Sequence, residues 1–286
     1  MERRESETDT RGKGGMRPLL KWAGGKTQLI GRIKIRLPKA YRNYYEPFVG
    51  SGATLLSIAP NRAHINDINK QLTNLYKQLQ DSPEAVISKV KELDSTPSTK
   101  ELYLALREEY NSKISQGALD AECAALMIWL NKHCFNGLYR VNGKGLFNVP
   151  YNNKTGGKSI DEDNARKVAQ YLKESATLTC LDFEEACKGV EEGDFVYFDS
   201  PYIPESATAS FTDYAAKGFT REDHERLAAL FRRLDAKGAK LMLSNNDVPL
   251  AQSLYAGYHI QSFEVKRMIN RNANKRNGRE IIVTNY

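Results

Sequence analysis

Apolar positions along the chain follow two rhythms, and the change from one to the other divides it. Tyr44-Tyr45-Glu46-Pro47-Phe48 reads as a short strand, and Val49-Gly50-Ser51-Gly52-Ala53 turns it through glycines into a helix that starts near Thr54. One helix later, Ala63-His64-Ile65-Asn66-Asp67 reads as a second strand ending in a carboxylate, which is β-α-β grammar. From residue 71 to 134 helical spacing takes over, at Pro83–Leu93, Lys100–Tyr110 and Leu119–Cys134, and Ala124–Leu130 is apolar enough for a buried helix. Strand-like runs return at Thr177–Leu181, Phe195–Phe198, Leu241–Ser244, Ile260–Val265 and Ile281–Asn285. Thr220 with Asp223 three residues on predicts a capped amphipathic helix through Ala236, closed by Gly238. Strands alternating with helices predict an α/β fold with a doubly wound, mostly parallel sheet. The last two strands lack a long intervening helix and are expected as an antiparallel pair at one edge.

Composition narrows the class. The chain has 286 residues, 41% hydrophobic and 27% charged, which argues against collagen-like, low-complexity and wholly disordered proteins. No apolar stretch approaches the roughly 18 residues needed to span a bilayer, and no apolar h-region opens the chain, so a cytoplasmic protein is expected. Cys123, Cys134, Cys180 and Cys187 form no C-x-x-C pair, and the four histidines are scattered. Reduced structural thiols and no metal site are expected.

Charge is distributed unevenly. Residues 1–15 carry eight charges that cancel and read as a solvated tail. Asn131–Lys158 holds five basic residues and no acidic one, and Val265–Glu280 holds six basic residues against Glu280. Each segment contributes +5 to a net charge of +7, so the rest of the chain sums to −3. Both are rich in Asn, Gly and aromatics, a composition suited to following a phosphate backbone while polar side chains reach base edges.

Two glycine motifs suggest a nucleotide, and each departs from the commonest pattern. Gly50-Ser51-Gly52 has two glycines of the dinucleotide fingerprint, but Leu55 occupies the third position. Gly24-Gly25-Lys26-Thr27 resembles the end of a P-loop, yet Leu20 stands where its first glycine is required. What remains is a strand, a glycine turn and Asp67 placed to take two ribose hydroxyls, which suits any adenosine-containing cofactor.

Phe195-Val196-Tyr197-Phe198 runs into Asp199-Ser200-Pro201-Tyr202 at a strand end, where ligands sit in open α/β sheets. An exocyclic amine on a nucleobase is a poor nucleophile because its lone pair is delocalised into the ring. The Asp199 carboxylate and the Ser200 backbone carbonyl could each accept one N–H bond and free that lone pair for attack on a methyl group. Pro201 would fix the local backbone, and Tyr202 would stack on a base taken out of the duplex.

Lys21-Trp22-Ala23-Gly24-Gly25-Lys26, Glu46-Pro47-Phe48-Val49-Gly50-Ser51-Gly52-Ala53, Asn66-Asp67, Leu181-Asp182-Phe183 and Asp199-Ser200-Pro201-Tyr202 together resemble the ordered motifs of the Dam-type (D12 class) DNA adenine-N6 methyltransferases. The resemblance covers nearly everything from Pro18 to Tyr286 and implies a class I, Rossmann-like methyltransferase fold. It implies S-adenosylmethionine as cofactor, contacted by Trp22, Lys26, Phe48, Val49, Gly50, Ser51, Gly52, Asp67, Asp182, Phe183 and Asp199. It further implies a cofactor-binding catalytic domain made of 16–70 and 177–286, with a target-recognition domain at 71–176. Ser200 departs from the family's usual proline, but that position supplies a backbone carbonyl, so activity is expected to survive.

Asn131–Asn142 and Gly145–Pro150 are similar to the hairpin of family members that methylate the adenine of GATC. By that likeness Arg140 reads a guanine, Lys21 touches another, Leu138 and Pro150 contact thymine methyls, and Phe135 or Asn136 fills the space left by the flipped base. Asn142 belongs to the same DNA-binding set, and Lys275 and Arg276 would lie on phosphates. Double-stranded DNA is the expected partner, with a companion restriction endonuclease in prospect and no membrane contact. N4-cytosine or RNA N6-adenine methylation would use similar amine chemistry and stays open. A non-enzymatic DNA-binding module would leave Asp67, Asp182 and Asp199 at successive strand ends unexplained.

Overall fold

The computed structural model describes residues 15–22, 29–204, 218–266 and 277–286. Residues 1–14 of the expected tail, the glycine segment around Lys26 and residues 267–276 of the basic segment, with Lys275 and Arg276, lie outside the described residues. Seven strands form one mixed sheet: β1 (Tyr44–Glu46), β2 (Ala63–Asn66), β3 (Ala176–Thr179), β4 (Phe195–Phe198), β5 (Lys240–Asn246), β6 (His259–Lys266) and β7 (Asn277–Thr284). Their order is β3-β2-β1-β4-β5-β7-β6. The first five are parallel, and β7 inserts antiparallel between β5 and β6. The order reverses between β1 and β4, the kind of switch point where ligands bind in such sheets.

Because successive strand residues face opposite sides, the central strands β1, β4 and β5, and β7 beside them, feed two cores. Tyr44, Phe195, Tyr197, Met242 and Ile282 pack into one apolar cluster, while Tyr45, Val196, Phe198, Leu241, Leu243 and Val283 pack into the other. Strands β1 and β4 are buried throughout, as expected of parallel strands covered on both faces.

The second face is covered by α8 (Phe183–Ala186), α9 (Arg221–Ala236) and α10 (Pro249–Leu254). Helix α9 starts at the capping box: Thr220 Oγ1 accepts from Asp223 N, and Asp223 Oδ2 accepts from Thr220 N. The first face is covered by α1 (Ile30–Lys34), α2 (Ala53–Ile58), α3 (Lys70–Asp81), α4 (Pro83–Asp94), α5 (Lys100–Ser115), α6 (Ala121–His133) and α7 (Glu162–Ser175). Helix α6, apolar on every side, is the hub against which α3, α4 and α5 pack.

Helices α3 and α7, like the short α1, α8 and α10, are not singled out by the hydrophobic pattern. Both are polar on average, with polar residues such as Gln71, Asn74 and Asn164 among those they bury, and both pack against β3. Residues 71–176 therefore share one continuous core with the sheet. No described helix is long and apolar enough to cross a membrane.

Candidate active site

The turn after β1 is shaped by two glycines. Gly50 has φ +51° and Gly52 φ +72°, the left-handed region that side chains disfavour. A Cβ on Gly50 would stand 3.4 Å from Trp22, and one on Gly52 would stand 3.2 Å from the Tyr76 hydroxyl. Tyr76 in turn donates to the Gly50 carbonyl at 2.6 Å. Asp67, just past β2, closes the turn: its Oδ2 accepts from Gly50 N at 3.1 Å and its Oδ1 from Asn69 N at 2.9 Å. Enclosure by protein pushes the Asp67 carboxyl up to about 6, against the pull of those two hydrogen bonds.

Asn66, buried beside it, ties three strand ends together. Its Nδ2 donates to the carbonyls of Pro47 and Leu181, and its Oδ1 accepts from Leu181 N and Thr179 Oγ1. Such a clamp is stable because every polar atom of a buried carboxamide then has a partner.

Across the cavity Asp182 caps α8, accepting from Glu184 N at 3.0 Å, and its Oδ1 also receives Arg226 Nη2 at 2.9 Å. The Arg226 guanidinium lies 4.7 Å over the Phe183 ring. Phe48, Phe183 and Phe219 form an aromatic wall with centroids 5.4–5.9 Å apart. Phe219 was not legible as a site residue; it precedes a readable helix cap, but only folding brings it to this wall.

Asp199, at the end of β4, accepts from the Ser244 hydroxyl of β5 at 3.1 Å, and the Tyr197 hydroxyl stands 2.9 Å from the same oxygen. Both Ser244 and Tyr197 are fully buried. The following loop is pinned to the end of β5, where Asn245 Oδ1 accepts from Ile203 N and Asn246 Nδ2 donates to the Ile203 carbonyl. Tyr202 donates to Glu280 on β7 at 3.2 Å. Enclosure pushes the Tyr202 phenol well above its ordinary value, and the neighbouring Asp199 and Glu280 carboxylates push the same way. Ser200 is buried, and its hydroxyl has no hydrogen-bond partner among the described residues.

One cavity of about 400 Å³ is lined by Trp22, Phe48–Ser51, Asp67, Asp182, Phe183 and all of Asp199–Tyr202. Gly52 is not on its wall and acts from behind as the N-cap of α2. The volume lies within the usual range for small-molecule sites.

The segment after α6 stands beside this cavity. Buried Asn131 accepts from Lys21 N at 2.8 Å and donates to the carbonyls of Lys21 and Gly137. Gly137 is required here, since a Cβ would come within 2.5 Å of Lys21. Trp22, on the cavity wall, stacks on Tyr139 at 5.0 Å, so cavity and hairpin touch directly. Asn136 takes φ +55°, and Phe135 is half exposed with its backbone N bonded to the Pro150 carbonyl. Leu138 is partly buried, while Arg140 and Pro150 are exposed. Asn142 serves the turn itself: its Oδ1 accepts from Lys144 N and Leu146 N, leaving its amino group for outside contacts. Lys26, Lys275 and Arg276 lie outside the described residues.

Comparison with known proteins shows the family of the chain. The chain is 41% identical over 273 residues to the type II methyltransferase M1.LlaDCHI of Lactococcus lactis subsp. cremoris, covering 95% of this chain and 96% of that one. It is 39% identical to the type II methyltransferase M.MjaIII of Methanocaldococcus jannaschii, over 95% and 99% of the two chains. A DNA adenine methylase of Vibrio cholerae is 35% identical, over 91% and 92%. The D12 class N6 adenine-specific DNA methyltransferase pattern matches residues 22–269, running unbroken from the cavity wall at Trp22 through the hairpin and past Asp199. With relatives this similar along almost its whole length, the chain belongs to the D12 class of N6 adenine-specific DNA methyltransferases.

Proposed function

We propose that this adenine-specific DNA methyltransferase uses S-adenosylmethionine to methylate N6 of an adenine flipped out of duplex DNA, within GATC. The observation that carries this reading is that Asp199–Tyr202 and the hydrogen-bonded Gly50–Asp67 turn line one cavity. The residues present fit the cofactor: a carboxylate for ribose hydroxyls at Asp67, a close-approach turn at Gly50, and apolar walls at Phe183, Ile68 and Leu181. When bound, S-adenosylmethionine supplies an electrophilic methyl group.

The chain's own work is to prepare the amine. Asp199, held by the Ser244 hydroxyl, accepts one N6–H, and the Ser200 carbonyl accepts the other. Both bonds draw the nitrogen towards tetrahedral geometry, strengthening as positive charge develops on it. Tyr202, held through its phenol by Glu280, stacks on the base.

Residues 16–70 and 177–286 form the catalytic part in this reading, and 71–176 the target-recognition part. Arg140 reads guanine O6 and N7, Lys21 touches a second guanine, and Leu138 and Pro150 meet thymine methyls. Phe135 or Asn136 occupies the gap in the stack. A companion restriction endonuclease sharing the site fits the type II names of two relatives.

Transfer of labelled methyl from S-adenosylmethionine to a GATC duplex, and to one with its adenine replaced, tests the reading. Label confined to the first, recovered as N6-methyladenine, is the expected result. Equal labelling of both, or label recovered on cytosine, overturns it.

A further inference from the structure

Arg140 is exposed, yet its side chain is held. Its Nε donates to Asn148 Oδ1 at 2.8 Å, and its Nη2 lies 3.4 Å from the Asn148 main-chain carbonyl. The two residues face each other across the hairpin, where Asn148 N donates to the Arg140 carbonyl at 3.1 Å and Val141 bridges Phe147.

Asn148 itself stands on a fixed platform. On one side, Phe147 is buried and exchanges two hydrogen bonds with the Asn111 carboxamide of α5, at 2.8 and 3.0 Å. On the other, Val149 is buried and its carbonyl receives the Tyr103 hydroxyl at 2.7 Å and Arg107 Nη1 at 3.3 Å, both also from α5. The residue opposite Arg140 is thus anchored to the helical core and not to the hairpin alone.

A guanidinium presents five N–H donors in a planar fork. Nε–H and the parallel Nη2–H form one edge, and that edge faces Asn148. The edge between Nη1 and Nη2 remains, and its two parallel N–H groups match a pair of acceptors such as guanine O6 and N7.

We infer that Asn148 is a specificity-positioning residue, which braces Arg140 so that its Nη1–Nη2 edge is the one offered to a base. This rests on the proposal that Arg140 reads a guanine. Asparagine suits the task because it accepts at Nε without adding charge. Aspartate would keep the acceptor but place a negative charge where phosphates must approach. Alanine would let the guanidinium turn, so that ordering it falls to the binding step.

The test measures kcat/KM of the full chain on duplexes in which each base pair of its preferred site is replaced in turn, for Asn148→Ala, Asn148→Asp, Arg140→Ala and the double alanine variant. Asn148→Ala is expected to lower kcat/KM on the preferred duplex by about 3- to 10-fold. It should narrow discrimination at the same base pair that Arg140→Ala relaxes, and at no other. Asn148→Asp should keep that discrimination while binding every duplex more weakly. In the Arg140→Ala background, Asn148→Ala should add nothing. Intact discrimination in Asn148→Ala alongside relaxed discrimination in Arg140→Ala overturns the brace alone. Loss of discrimination in Asn148→Asp does the same, and this variant carries the test if the alanine variant folds poorly. Intact discrimination in Arg140→Ala refutes the base-reading role itself, and the brace with it.

Discussion

The cavity and the hairpin after α6 solve the same problem of holding polar side chains still, in different surroundings. In the cavity, the side chains that fix the turn beside Asp67 and the carboxylate of Asp199 are buried: Asn66, Tyr76, Tyr197 and Ser244 are at most 5% exposed. Their hydrogen bonds form where water does not compete, so few are needed and each is costly to break. In the hairpin, Phe135, Asn136, Arg140 and Pro150 are exposed, and the framing falls to asparagines. Asn131 clips Lys21 to the turn, Asn142 closes the loop, Asn111 pins Phe147 and Asn148 faces Arg140. A carboxamide both donates and accepts without charge, so it can splice irregular backbone close to a polyanion without repelling it. The polar groups of the cavity are thus fixed by burial, and those of the hairpin by hydrogen bonds at a surface.

This contrast can be broken at either end, and the largest effect is expected in the cavity. Asp199→Ala should lower kcat by about 10²–10⁴-fold, the usual scale for a group acting on the reacting atom. Cofactor and DNA affinity, read by equilibrium titration, should stay within a few-fold; complete loss of DNA affinity would contradict the assignment. On the hairpin, Arg140→Ala should cost about 1–3 kcal/mol on the preferred site and relax selection at one base pair. Methylation profiles of randomised duplexes check this, and an unchanged preference would refute it.

The third test exploits the raised Asp67 carboxyl. Burial moves it from 3.8 to about 6, and in the proposed function it is the ionised form that accepts two ribose hydroxyls. Cofactor affinity should therefore grow as pH rises through 6, level off above it, and be about tenfold weaker at pH 5 than at pH 8. Titration of S-adenosylmethionine binding across that window reads the effect. Asp67→Asn should bind weakly with no inflection, and an inflection that survives in Asn would assign it to another group. The smallest effect is expected from Lys275→Ala and Arg276→Ala. Each should weaken binding evenly across sequences and reduce the salt slope by about 1; a loss confined to one sequence would mean base contact instead.

Much of the frame was legible because strands and turns announce themselves locally. The run Phe195–Phe198 is the strand β4 without adjustment, and the Thr220–Asp223 capping box starts α9 where the spacing predicts. The strand predicted through Phe48 stops at Glu46, because the chain must bend early for Gly50 to reach Asp67. Helices α3 and α7 carry no clear apolar signature because polar residues such as Gln71, Thr73, Asn74 and Asn164 lie among their buried positions. The final two strands form the antiparallel pair expected at one edge, with β6 outermost and β7 joining it to β5.

The sequence by itself determined the chemistry carried at each strand end, since glycine turns and carboxylates after apolar runs depend only on neighbouring residues. It also determined the alternation by which β1, β4, β5 and β7 feed two cores. Tertiary structure alone decided the supporting cast. Ser244 behind Asp199, Glu280 behind Tyr202, Phe219 on the aromatic wall and Asn148 beside Arg140 meet their partners across 8 to 171 residues of chain. A hydroxyl or carboxamide carries no local mark of the distant group it will satisfy, so these partnerships arise only when burial excludes water and leaves each polar atom to find another.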